Sequence, residues 1–449
     1  VATFASAASI VARLRDAGFE TYLAGGCVRD RLLGRPAADY DVATAARPAQ
    51  VTALFPKTVE VGASFGVVRV VWDDGEYEVA TFRTEGPYLD GRHPSSVRFA
   101  GPREDALRRD FTINGLFLDP ATDAVLDFAG GRADLAARMI RAIGDPAARF
   151  EEDRLRMLRA VRLAAQLGFE IESATLEAVR RHAEAVTMVS AERIRDELVR
   201  MLTGPDAGRA LGLLRDTGLL QAVLPEVAAE IGVPQPEQFH PEGDVFEHTR
   251  LAVAALRAPT PVLAMATLLH DAGKPPTLEF APDRIRFSRH DERGAEIAQA
   301  VMERLRFPRR DADRVVALVG RHMIFKDLPQ MREAKRRRLF ADEIFPDLLE
   351  LHRADVASSH GDLTLYDWAR AESTRVAETP PAAAPLATGH DVLARGVPPG
   401  PRVGQILEAV EDARLEGRIR TRDEAIALVD KLAAGGSAAA ESRPRGGDP

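Results

Sequence analysis

Two aspartates two residues apart, Asp39 and Asp41 in AADYDVAT, are the first pair in this sequence able to do chemistry together. On an extended strand the side chains of residues i and i+2 leave the same face, so both carboxylates could share divalent metal ions. Just upstream, Gly25 and Gly26 close a short apolar run in YLAGGCVRDRL. A backbone without Cβ atoms can approach a triphosphate closely. Arg29, read as lying at the start of the helix that follows, would add charge to its N-terminal amides. Together these are the parts of a nucleotidyl-transfer site. A second grouping, EEDRLRMLRAVR, spaces Asp153, Arg156, Arg159 and Arg162 by three residues, which predicts one side of a helix. A third is spread over the C-terminal half: His248, His270 with Asp271, His290, His322 and Asp355. A lone His-Asp pair can arise by accident and a lone helix histidine is usually satisfied by a neighbour, but six such residues in one ordered series point to a second, independent site.

These residues need elements to hold them. The chain has 449 residues, 29% charged and 45% hydrophobic, the balance of a globular protein of two to four domains. One cysteine, Cys27, excludes an internal disulfide and a stapled secreted scaffold, and a cytoplasmic location is expected. No signal peptide is expected, since Phe4, Ile10, Val11 and Leu14 recur at helical spacing without a basic segment ahead of an apolar core. The longest apolar stretch, VLAMATLL, is too short to span a bilayer, so no membrane partner is expected. A net charge of −8 excludes a general polycation but not a local basic groove for RNA.

Residues 1–145 alternate β-branched runs such as VVRVVW, EYEVATF and FTINGLFLD with Gly, Pro and Asp, which predicts an α+β head. From 146 to 220 the pattern is helical, a neck, with Gly168 placed to stop a helix. Residues 221–376 continue as a helical body, 377–388 form a Pro/Ala-rich linker, 389–434 a helical tail, and 435–449 a disordered C-terminus.

On the quoted motifs, the chain resembles the bacterial class of tRNA nucleotidyltransferases in the DNA polymerase β superfamily, which includes CCA-adding enzymes and poly(A) polymerases. The resemblance implies a multidomain protein: a polymerase β-like head with a mixed sheet and helices, then an all-α neck, body and tail. It implies that Asp39 and Asp41 hold two Mg²⁺ ions for in-line displacement, one activating the RNA 3′-hydroxyl and one neutralising the departing pyrophosphate. Gly26 and Arg29 would bind the nucleotide, as would Arg109 in RRDFTING, where Gly115 replaces the usual Ala. The segment 81–94 resembles the family's flexible loop. Glu78 is read as a surface strand residue and left out of the site.

The resemblance assigns base selection to Asp153 and Arg156. A carboxylate acceptor beside a guanidinium donor matches the amino group and adjacent ring nitrogen shared by cytosine and adenine, and mismatches guanine and uracil. Arg159 and Arg162 would support the pocket and the triphosphate, and Arg193 is read as a buttress. The histidine series resembles the two-metal form of the HD phosphohydrolases, which implies Mn²⁺, Fe²⁺ or Ni²⁺ at His248, His270, Asp271, His290, His322 and Asp355. Phosphoesters of RNA ends or nucleotides would be its substrates. The run Lys335, Arg336, Arg337 and Arg338 could grip RNA or simply face solvent.

The expected function is therefore template-independent addition of CCA to tRNA from CTP and ATP, with a phosphohydrolase in the body. Two alternatives stand: an enzyme adding only the terminal A to tRNA ending in CC, or an HD phosphohydrolase whose head only binds RNA.

Overall fold

The computed structural model describes residues 2–62, 66–86, 97–238, 240–282, 284–378 and 385–434. Most of the expected flexible loop (87–94), half of the linker (379–384) and the C-terminus (435–449) lie outside the described residues.

The head opens with helix α1 (Phe4–Asp16), started by Thr3, whose hydroxyl accepts from the Ser6 amide. Its buried stripe of Ala7, Ile10, Val11 and Leu14 covers the sheet. Strand β1 (Thr21–Ala24) leads into α2 (Gly26–Leu32), followed by β2 (Asp41–Thr44) and α3 (Pro48–Leu54). Then come β3 (Thr58–Gly62), β4 (Val67–Trp72), β5 (Gly75–Thr81) and a small hairpin of β6 (Arg83–Glu85) and β7 (Val97–Phe99). After α4 (Pro102–Leu107) the chain adds β8 (Leu116–Leu118), β9 (Val125–Asp127) and α5 (Gly131–Ala136). The main sheet runs β3-β4-β5-β2-β1-β8-β9 and is mixed, with β2 parallel to β5 and every other pair antiparallel. Val42, Val68, Val70 and Val79 are buried, as period-two alternation of β-branched residues requires of a sheet packed on one face.

The remainder is mostly helical, with two short departures from the all-α expectation. Strand β10 (Met139–Ile140) pairs in parallel with β11 (Glu170–Ile171), clasping the head to the neck. The second departure is a hairpin, β12 (Leu278–Phe280) with β13 (Ile285–Phe287), inserted in the body. The neck comprises α6 (Pro146–Glu152), α7 (Leu155–Leu167), α8 (Ser173–His182), α9 (Ala191–Leu202) and α10 (Ala207–Asp216). Gly168 ends α7 with φ +68°, the left-handed cap for which glycine is suited. After two short helices, α11 (Leu219–Val223) and α12 (Pro225–Ala228), the body is built from α13 (Val245–Ala255), α14 (Pro261–Leu269), α15 (His290–Arg304), α16 (Arg309–Arg321), α17 (Glu333–Phe340), α18 (Phe345–Ser358) and α19 (Thr364–Glu378). The tail is α20 (Gly389–Leu393), α21 (Pro401–Leu415) and α22 (Arg422–Ala434), with its own core around Ile406, Val410 and Val429. No helix among the described residues is long and apolar enough to cross a membrane.

The basic run on α17 is largely used inside the protein. Arg338 pairs with Glu408 at 3.2 Å and with Asp412, both on α21, and so docks the tail; Arg337 pairs with Glu333 at 2.7 Å. Only Lys335 of the four is exposed.

Candidate active sites in the head and the helical body

The end of β1 and the start of β2 lie side by side, with Ala24 opposite Asp41, so the glycines after β1 face the second aspartate. Asp39 precedes β2 rather than sharing it, and only Asp41 lies in the strand. Asp41 is also in parallel register with Glu78 on β5. Burial, then Asp39, then Glu78 push the Asp41 carboxyl up to about 7, against the pull of Arg109. Carboxylates that raise one another's proton affinity form a donor set that a divalent cation would relieve, so the residues fit the metal expected there. Glu78 belongs in that acidic group; its exposed strand position carried no signal, and only the register with Asp41 reveals it.

Gly25 is the glycine that this geometry requires. Its φ is +76°, and a Cβ there would lie 2.9 Å from Arg109 Nη1 and 3.8 Å from Asp41 Oδ2. A Cβ on Gly26 would meet only Arg29, at 3.7 Å. Gly25→Ala is expected to lower kcat/KM for CTP incorporation by about 100-fold by displacing Arg109 relative to the carboxylates. A fall of less than threefold in steady-state kinetics would remove this role.

The seven-residue helix α2 places Arg29 in its last turn, buried, and not at a free N-terminus. Arg29 donates to Asp30 and, through Nη1, to Asn114 Oδ1 at 2.8 Å. Asn114 in turn donates to Asp110 Oδ1 at 3.1 Å, and Asp110 Oδ2 accepts from Arg159 Nε at 2.8 Å. One chain of hydrogen bonds thus joins α2, the turn of RRDFTING and α7. That turn is a 3-10 helix over Thr112–Asn114, which shortens the expected strand to β8. Asp105, buried, accepts from Arg108 and Arg109 and so orients both arginines.

Asp153 does not ride on the helix with the three arginines. It sits in the break between α6 and α7, with φ −143° and ψ 103°, and its Oδ1 and Oδ2 accept from Arg193 at 3.1 and 2.8 Å. Oδ1 also accepts from the Leu155 amide at 3.1 Å, so it is Oδ2 that retains a lone pair for an exocyclic amino group. Arg156 donates to the carbonyls of Arg149 and Arg108 and to Glu152 Oε2, which fixes its plane. Arg162 is held by Glu197 at 2.6 Å. Gly26, Arg29, Asp39, Asp41, Arg109, Asp153, Arg156, Arg159 and Arg162 all line one cleft of about 460 Å³, together with Asp110, Asn114, Arg193 and Arg200.

Arg159 and the bonds from Asn114 and the Phe111 amide overcome burial and hold the Asp110 carboxyl well below the ordinary carboxylate range. A depressed folded pKa contributes stability above the unfolded value, near 4, and loses it as pH falls further. Asp110→Asn is expected to cost about 3 kcal/mol at pH 7 and progressively less below about pH 4. Thermal melts of both proteins across pH 2–7 check this, and a constant gap between them would contradict it.

In the body, α13 supplies His248, His270 and Asp271 directly follow α14, the first residue of α15 is His290, His322 directly follows α16, and α18 carries Asp355. All six converge. His248 Nε2 lies 3.1 Å from Asp355 Oδ1 and 3.7 Å from Asp271 Oδ2, and His270 Nε2 lies 3.3 Å from Asp271 Oδ2. On the other side, His290 Nε2 lies 3.7 Å from Asp271 Oδ1 and 3.2 Å from His322 Nε2. Each ring is fixed through Nδ1: His270 to Thr267 O, His290 to Phe287 O on the β12–β13 hairpin, His322 to Val319 O, and His248 to Glu242. For His270, His290 and His322 the carbonyl acceptors at Nδ1 leave Nε2 of the neutral ring to face inward, the arrangement second-layer partners give to metal-binding histidines, while Asp355 and Glu242 raise the His248 imidazole to about 9 against its burial. Burial and the neighbouring His270 push His322 down to about 4, which keeps it a neutral ligand.

His248 Nε2 and His270 Nε2 are buried without hydrogen-bond partners, and two groups able to hold a metal ion, His248/His270/Asp271 and Asp271/His290/His322, share Asp271. This donor set, with Asp271 common to both groups, is of the kind that would hold divalent metal ions. Lys274, buried, pairs with Asp271 at 2.7 Å and donates to Gln235, so it faces neither bulk solvent nor an isolated phosphate site. The turn carrying these ligands can approach α15 only because residue 273 is glycine: a Cβ there would lie 2.0 Å from the His290 carbonyl oxygen. Glu242, which orients His248, escaped the sequence reading because an acid six residues before a histidine is not a pattern.

Three families match in chain order: "Poly A polymerase head domain" over 21–141, "Probable RNA and SrmB- binding site of polymerase A" over 168–231, and "HD domain" over 245–359. The chain is 46% identical over 217 residues to a CCA-adding enzyme of Geobacillus thermodenitrificans and 45% over 228 to one of Geobacillus stearothermophilus. These matches cover 48% and 51% of this chain and 54% and 56% of those proteins, so the chain spans about half the length of these relatives. With a CCA-adding enzyme of Latilactobacillus sakei the identity is 41% over 275 residues, 60% of this chain and 68% of that protein. The crystal structure of the Bacillus stearothermophilus CCA-adding enzyme in complex with CTP superposes with TM-score 0.74 at 29% identity, covering 97% of this chain and 99% of that one. With a mixed-sheet head whose motifs share one cleft and relatives matched to this depth, the chain belongs to the CCA-adding enzyme family.

Proposed function

We propose that this protein adds C, C and A in turn to the 3′ end of tRNA from CTP and ATP without a nucleic-acid template, and that its body hydrolyses phosphoesters of RNA ends or nucleotides. The first part is carried by one observation: the paired carboxylates, the Gly25–Gly26 turn, the arginines and the Asp153/Arg156 pair all line the same cleft. The match to a structure that binds CTP, over nearly its whole length, supports it. The domain division at 145, 220, 376, 388 and 434 and a cytoplasmic location belong to the same proposal.

Asp39 and Asp41, with Glu78 nearby, would hold two Mg²⁺ ions, which supply Lewis-acid activation of the RNA 3′-hydroxyl and charge neutralisation of pyrophosphate. The protein's own residues do the rest. Arg29 and Arg109 would cradle the triphosphate beside the Gly25 backbone, and Arg159 and Arg162, held by Asp110 and Glu197, line the neck wall of the cleft. Asp153 would accept from the amino group of cytosine or adenine while Arg156 donates to the adjacent ring nitrogen. A rigid protein edge of this kind rejects guanine and uracil by leaving buried polar groups unpaired. In the body, His248, His270, Asp271, His290, His322 and Asp355 would hold two divalent transition metals such as Mn²⁺, Fe²⁺ or Ni²⁺, the source of a nucleophile for phosphoester cleavage.

The test is incorporation of labelled CTP and ATP, with Mg²⁺, into tRNA transcripts ending at the discriminator base, in C and in CC. The proposal requires all three to end in CCA. Extension of the CC transcript alone would make this an A-adding enzyme, and no incorporation would leave the body as the active part.

A further inference from the structure

Beside the histidine cluster lies a second cavity, of about 610 Å³, that none of the motifs predicts. We propose that it binds the base and ribose of a nucleotide whose phosphate occupies the neighbouring metal pocket; this rests on the hydrolase reading of that pocket and names what distinguishes its substrates. Helix α18 builds both walls. Asp355 lines the metal pocket, His352 lines the second cavity, and Val356 and His360 line both. His352 and Val356, one turn apart on α18, adjoin Asp355 on the same helix, so one rigid element fixes the distance between the two spaces, and His360 follows just beyond the helix end.

The second cavity has the lining a nucleoside needs. Leu365, Pro329, Val356 and the exposed Trp368 supply apolar surface, and Asp362 and Thr364 supply polar groups at its edge. Arg336 lies 5.7 Å from the Trp368 ring centroid, which restrains the indole. The ring of His352 stacks on Phe325 at 4.1 Å and 4°, and its Nε2 is buried without a hydrogen-bond partner. A flat aromatic, an unpaired imidazole nitrogen and continuity with the metal pocket, which Lys326 also lines, are the features of a base subsite next to a phosphate subsite.

The probes are 2′-AMP and glycerol 2-phosphate, a phosphomonoester of a secondary alcohol that lacks the base. Base stacking on the indole is lost in Trp368→Ala, which in the full chain should raise KM for 2′-AMP about tenfold and KM for glycerol 2-phosphate less than twofold. Trp368→Phe should restore most of the difference. Independently, in a Trp72→Phe background Trp368 is the only tryptophan, and with Mn²⁺ present its emission should be quenched by 2′-AMP and not by glycerol 2-phosphate. Equal KM changes for both probes, or unchanged emission at saturating 2′-AMP, would overturn the subsite. If the wild-type protein hydrolyses neither probe, the hydrolase reading fails while the emission titration still decides the subsite.

Discussion

Asp41→Ala is expected to reduce incorporation of CMP into tRNA by about 10³-fold, equivalent to removing about 4 kcal/mol of transition-state stabilisation. Asp41 is held in β2, opposite Ala24 and beside Glu78, whereas Asp39 precedes the strand. Asp41→Asn should lose nearly as much, because a neutral amide preserves shape and not charge. The loss should fall on kcat, with KM for CTP within a few-fold, since the triphosphate would be bound by Arg29 and Arg109. Steady-state kinetics with a tRNA transcript checks this. A decrease under tenfold would place the reaction elsewhere, and a pure KM effect would reduce the aspartates to a binding role.

The second large effect concerns Asp271. It is the shared member of both ligand groups, and its Oδ2 also receives Lys274. Asp271→Asn should lower phosphoester hydrolysis by about 10³-fold, an expectation scaled to the several kcal/mol that metal activation supplies. After dialysis against Mn²⁺ and removal of loose ions, elemental analysis should find two ions per wild-type chain and fewer than one in the variant. CCA addition by the same variant reports whether the fold survives, because the head does not use Asp271. Retention of two ions with full hydrolysis would contradict a bridging carboxylate.

Local chemistry was readable from the sequence wherever it depended on neighbours in the chain. The spacing of Asp39 and Asp41, the glycine turn and the three arginines of α7 at intervals of three need no tertiary knowledge to be noticed, and Gly168 announces the end of its helix. Contacts between distant segments left no such trace. The bond from Arg29 to Asn114 spans 85 residues and that from Arg159 to Asp110 spans 49. Asp110 and Asn114 therefore looked like ordinary polar residues of a motif credited to Arg109. The spacing of Asp153 continues that of the arginines and so predicts a place on their helix, but its extended backbone breaks the helix. Glu78 was passed over because alternation only says which face a strand residue uses, whereas the parallel register says which strand it faces. The β12–β13 hairpin, which helps orient His290, is too short for a periodic signal to emerge.

The central claim is that one cleft chooses C twice and A once without a template. It is tested most directly by incubating a tRNA transcript that ends at the discriminator base with all four nucleoside triphosphates and Mg²⁺, then sequencing the 3′ ends. The account predicts ends of C, CC and CCA that stop at CCA, with guanosine and uridine incorporated at less than about one part in 100, the discrimination expected when a polar edge is mispaired by about 3 kcal/mol. Homopolymeric A tails, or all four nucleotides in comparable amounts, would contradict it.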